Sequence, residues 1–150
     1  MAGFYDRLGA GLDAAALLLC RISLAGVFWR AGRTKVEDGS WLTPSATTRF
    51  LFESEYSGVP LPTTLAMYLA TWAEHLFPVL LVLGLATRFS ALALLLMTLT
   101  IQLFVYPDAW WPVHSLWAAL ALVLVSSGGG GLSLDNLLRG NRYRGVPVRA

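Results

Sequence analysis

"TWAEHLFPVLLVLGLATRF", Thr71–Phe89, is the stretch on which the reading of this chain turns. Its second half is almost wholly apolar, yet Glu74 and His75 sit side by side in its first half and Pro78 follows three residues later. Either it is a helix buried in a soluble core, or it is a membrane span carrying an acid. The composition of the chain around it decides. Hydrophobic residues make up 56% of the 150 and charged residues only 13%. A soluble domain carries about 25% charged residues. So few charges cannot cover a water-facing surface, and a bilayer is the implied solvent.

Four runs fit a hydrocarbon core about 30 Å thick, which takes roughly 20 apolar residues per helix. They lie at about 14–32, 63–85, 87–106 and 112–127, the last one short. The brief link around Ala86 makes the second and third antiparallel neighbours. The expected fold is all-α, an integral membrane four-helix bundle forming one domain over 1–138. The loop after the first span holds "TPSATTRFLFESEYSGVPLP", a helix-start signal followed by a Pro-rich turn. It predicts a short amphipathic helix over about 44–55. "SSGGGG" stops the last span, and "LSLDNLLRG" predicts a second amphipathic helix lying on the membrane surface. Residues 139–150 read as a basic, disordered tail, a topology anchor with a lesser claim as an anionic-lipid or partner contact.

Lys/Arg bias sets the expected orientation. Arg7, Arg88, Arg139, Arg142, Arg144 and Arg149 fall on one side. Arg33, Lys35 and Arg49 fall on the other, mixed with Glu37, Asp38, Glu53 and Glu55. Both termini are therefore expected in the cytoplasm, and no cleavable leader is expected at the polar, Gly-containing start. The basic residues form no nucleic-acid patch. Cys20 is the single cysteine, which excludes an internal disulfide and a CxxC pair. Its default reading is a small apolar filler, and no metal site is expected.

Charges inside a membrane usually face a partner or a wet interior. Counting about 1.5 Å per residue puts Arg21 roughly 11–12 Å and Glu74 roughly 16 Å from the same membrane face. That difference lies within an arginine's reach, so an Arg21–Glu74 pair is expected. Pro78 removes the hydrogen bond to the carbonyl four residues before it, which is that of Glu74; a kink is expected there. Thr98 falls at about the depth of Glu74. Arg21, Glu74, His75 and Thr98 are thus the candidate central site, either a structural ion pair or a polar pocket for a proton, a quinone head group or a small ligand. Arg30, Gln102 and His114 form a candidate outer polar layer, beside Asp108. His75 and His114 lie roughly 15 Å apart in depth, which suits a shared haem poorly.

"RISLAGVFWRAGRTK", "AEHLFPVLLVLGLATRFSALAL", "IQLFVYPDAWWPVHSLWAAL" and "GGLSLDNLL" occur in an order and spacing that resembles the DoxX family across nearly the whole chain. The matching positions are Arg21, Gly26, Gly32, Lys35, Glu74, Gly84 and Arg88. The chain departs from the family pattern after the glutamate, where His75 to Pro78 replace glycines. The resemblance implies a small multi-pass protein of the bacterial inner membrane, associated with quinone- or thiol-linked redox complexes. Three functions follow as candidates. One is an accessory subunit of a membrane redox system, with quinone as the cofactor and a protein partner. Another is a non-enzymatic scaffold or chaperone that binds partner helices, or a second copy of itself, through small-residue faces. The last is a small transporter.

Overall fold

The computed structural model describes the backbone of residues 2–143 and the side chains of 8–139. Six α-helices follow one another: α1 (Ala2–Arg33), α2 (Ala46–Ser54), α3 (Thr63–Leu83), α4 (Thr87–Phe104), α5 (Ser115–Ser127) and α6 (Leu134–Tyr143). No strand occurs among the described residues. Four stretches are long and apolar enough to cross a bilayer: Leu8–Arg33, Thr63–Leu83, Thr87–Phe104 and Pro107–Ser127. The protein is an all-α, multi-pass membrane bundle, and lipid is its surrounding solvent. Helix α1 packs on α3 and α5, and α4 packs on the same two, which closes the ring. Leu24, Phe28, Leu81, Leu94, Ala121 and Leu124 fill the middle. Leu19, Leu76, Leu96 and Leu116 point outward and stay exposed, as lipid-facing side chains do.

Two of the span starts differ from the sequence expectation. Helix α1 does not begin near residue 14 but runs from Ala2, because nothing in the first dozen residues, Gly9 and Gly11 included, forces a stop. The fourth span begins at Pro107 rather than 112. It enters through a 3-10 turn (Pro107–Ala109) and a π turn (Trp110–His114) before α5. Pro112 has no N–H to give, and the Ser115 N–H reaches back five residues to the Trp110 carbonyl.

The bundle has two unlike ends. The loop face carries the connection 34–62, with α2 laid against α3 through Phe52, Ala66 and Met67. Ser45 caps α2 by accepting from the Thr48 N–H at 3.2 Å. The turn face carries the α3–α4 link and α6. Helix α3 continues through the buried Pro78 to Leu83 and ends at Gly84, whose φ of +68° is open to glycine without strain. A side chain there would also collide with the Arg21 guanidinium. Asp135 of α6 closes the link by accepting from the Ala86 and Thr87 N–H groups, each at 2.8 Å. Its own N–H donates to the Gly84 carbonyl at 2.9 Å. Residues 139–143, expected in the disordered tail, instead continue α6, there being no proline before Pro147 to end it, and 144–150 lie outside the described residues.

Candidate functional site

Glu74 is buried on α3, but Arg21 is not its partner. Lys35 is. Its Nζ donates to Glu74 Oε1 at 3.0 Å and stands 2.8 Å from Oε2. Only 3% of the Glu74 side chain and 15% of the Lys35 side chain are exposed, so the pair is largely stripped of water. Arg21, fully buried, instead donates to the Leu132 carbonyl at 2.6 Å and the Leu81 carbonyl at 3.4 Å. The expected pairing fails on depth. Because α1 runs on past residue 14, Arg21 is level with the end of α3, and seven residues separate Leu81 from Glu74. That is about 10 Å of helix, beyond the reach of a guanidinium already held by two carbonyls.

Lys35 is built into place by its own backbone. Its carbonyl accepts from the Ser45 N–H at 2.9 Å and from the Thr48 hydroxyl at 2.7 Å. A single bridge, Val36 with Pro44, closes the same small loop. The side chain therefore starts from a fixed point beyond the end of α1 and folds back into the bundle, with a second contact to the Ala31 carbonyl at 3.4 Å. Gly32 makes room, since a Cβ there would lie 3.0 Å from Glu74 Cβ.

A cavity of about 260 Å³ opens beside this pair. Helices α3 and α4 and the α2 region wall it with Phe52, Tyr56, Ala73, Met97 and Ile101. Glu74 and Lys35 supply its charged end. Nζ reaches both carboxylate oxygens, at 3.0 and 2.8 Å, so the one ammonium serves them both. The cavity thus presents an ammonium and a carboxylate side by side at one end of an apolar wall. Tyr106 donates to Glu55 at 2.9 Å and meets the Tyr56 ring edge-on, which holds the cavity's outer wall.

The other candidates scatter. His75 Nδ1–H donates to the Thr71 carbonyl at 2.7 Å, and the ring packs edge-on against Trp29 with centroids 5.3 Å apart. Its Nε2 is buried without a partner. Thr98 is buried, but its hydroxyl turns back to the Leu94 carbonyl of its own helix at 2.8 Å. In the outer layer His114 and Gln102 do meet, at 2.8 Å, and Gln102 ties down the Pro107 carbonyl. Arg30 is exposed and stands apart from them. Among the described residues no three His, Cys, Asp or Glu side chains converge as metal ligands would. Lys35 was missed as a site residue because it follows the helix and looks like a loop charge. Its one sequence signal was its place in the family pattern.

Comparison with known proteins bears on this arrangement. The DoxX family profile matches residues 16–107, which include both members of the pair. The chain belongs to the DoxX family. This DoxX-family chain is also 29% identical over 139 residues to an uncharacterized protein of Haemophilus influenzae, an alignment covering 88% of this chain and 87% of that protein. No solved structure matches it. Of the positions carried by the family resemblance, Gly32, Lys35 and Glu74 come together at the loop face, and Arg21 and Gly84 at the turn face.

Proposed function

We propose that this chain is an accessory subunit of a membrane redox system and that its loop-face cavity receives the head group of a quinone. The observation that carries the reading is the cavity beside Glu74 and Lys35. Apolar walls with a few convergent polar groups suit an amphiphile that arrives from the bilayer. Lys35 offers a donor to a quinone oxygen, and the Glu74 carboxylate offers an acceptor to a quinol hydroxyl. A partner enzyme in the same membrane supplies or removes the electrons, and this chain supplies the pocket. The Lys/Arg bias supports a reading in which the turn face and both termini face the cytoplasm of a bacterium and the pocket opens in the outer half of the inner membrane.

The test is purification from native membranes in mild detergent, followed by extraction and quantification of quinone per chain. Quinone is expected to co-purify with the unaltered protein. Ala73→Phe fills the cavity and leaves the ion pair intact, so it expels quinone while the protein remains folded. Glu74→Gln keeps the shape and removes the charge, and it lowers quinone content by about tenfold, the loss of one charged hydrogen bond. Absence of quinone from protein reconstituted in quinone-containing vesicles, or undiminished binding in Ala73→Phe, would overturn the reading.

A further inference from the structure

A separate and larger cavity, about 830 Å³, opens on the turn face. Three segments wall it: the start of α4 with Thr87 and Arg88, the loop Gly128–Gly130, and α6 with Asn136 and Arg139. Arg88 lies along the loop, since a Cβ on Gly128 would stand 3.3 Å from its Nε. Arg139 enters from α6. Two guanidiniums from separate elements therefore border one cavity. Among the described residues the single acid in its walls is Asp135, and both of its oxygens are engaged by the Ala86 and Thr87 N–H groups.

One buried group there is unanswered. Thr87 has no exposed surface, and its hydroxyl makes no hydrogen bond. It faces the glycine loop, where a Cβ on Gly129 would come within 2.7 Å of it. The hydroxyl sits near the Asp135 carboxylate without reaching hydrogen-bond geometry. A buried hydroxyl left without a partner is destabilising, and the beginning of a helix favours an anion. The rim adds a further requirement. Phe89 is 64% and Leu138 58% exposed, each next in sequence to one of the two arginines. A free phosphate has no use for them, whereas a glycerol backbone and acyl chain do.

We propose that this cavity binds the phosphate group of an anionic phospholipid, held between Arg88 and Arg139 with the Thr87 hydroxyl as a further donor. Guanidinium forks match phosphate oxygens in pairs, and basic pockets at the membrane surface are suited to anionic head groups. The lipid fastens α6 to the start of α4 from outside, as Asp135 does from within.

The full-length protein in neutral detergent, titrated with phosphatidylglycerol or phosphatidylcholine and read by native mass spectrometry, tests this. Phosphatidylglycerol is expected to give one retained adduct per chain that phosphatidylcholine does not displace. R88Q/R139Q lowers its occupancy about tenfold or more, two surface-level basic contacts being lost. Thr87→Val lowers it severalfold with an unchanged melting temperature. Arg49→Gln on α2 removes one positive charge at the opposite face and leaves binding as it was. Retention of the adduct in R88Q/R139Q, or an equal loss in Arg49→Gln, overturns the site. Should the double variant not fold, Thr87→Val decides, and unchanged occupancy there overturns it. Displacement of the lipid by inorganic phosphate alone at matched concentration overturns the lipid as occupant and assigns the same groups to free phosphate.

Discussion

At Gly32 the two longest helices come nearest to each other around a charged residue. A methyl group there would meet His75 Cε1 at 2.9 Å and Glu74 Cβ at 3.0 Å. Gly32→Ala is expected to lower stability by about 1–3 kcal/mol through overpacking. Gly26, two turns earlier on α1, has open space where a Cβ would go, and Gly26→Ala is expected to raise stability by about 0.5–1 kcal/mol. Denaturation in detergent compares the two. Lys35→Met strands the Glu74 charge and is expected to cost about 3–5 kcal/mol. Adding Glu74→Gln to it restores most of that loss, and a double-mutant cycle on the same assay reads the coupling. The sequence revealed that Arg21 and Glu74 would be buried, because charges are scarce in the apolar runs. It concealed their partners. Depth counted from span boundaries misplaced Arg21 once α1 proved longer, and nothing local tells Lys35 to fold inward. That instruction comes from Ser45 and Thr48, across a loop.

Elements were legible where a periodic pattern met a breaker. The amphipathic helix α2 lies between its helix-start signal and its Pro-rich turn, α6 begins after the glycine run, and α3 and α4 follow their apolar runs. The entry to the fourth span was not legible, since Pro107 reads as loop and Pro112 as the start of the span, whereas 3-10 and π turns carry both into it. The α3–α4 link depends on α6. Burial works against the Asp135 charge, but the Thr87 and Ala86 N–H groups and the Arg139 charge outweigh it and hold the carboxyl below its ordinary 3.8. A carboxyl lowered on folding stabilises fully above its unfolded value and stops doing so as pH falls through the folded one. Asp135→Asn is therefore expected to lower the melting temperature at neutral pH, an effect of about 1–2 kcal/mol. The gap from the unaltered protein closes as pH drops below the ordinary value, which melting curves across that range would record. Ala86 holds a φ of +47° in the same link, a strained position for any residue with a Cβ. Ala86→Gly is expected to stabilise by about 1 kcal/mol.

At the scale of the molecule, the lipid-facing leucines and the ring of four spans follow from composition and run length alone, which is why the fold could be read without any motif. Sidedness rests on the charge bias. Reporter fusions at residue 150 and within the 34–62 connection are expected to report opposite compartments, and agreement between them would contradict the four-span topology. The Arg21 guanidinium also joins early chain to late chain. The carbonyl it donates to lies 111 residues downstream. A ribosome adding about 5–20 residues each second needs roughly 6–22 s to make that stretch. Until then the guanidinium has at most the longer contact to the Leu81 carbonyl, 60 residues downstream, and its place near one end of the bundle lets it remain in contact with water. Insertion of this protein is thus completed backwards, the opening helix settling only after the closing segment has been synthesised.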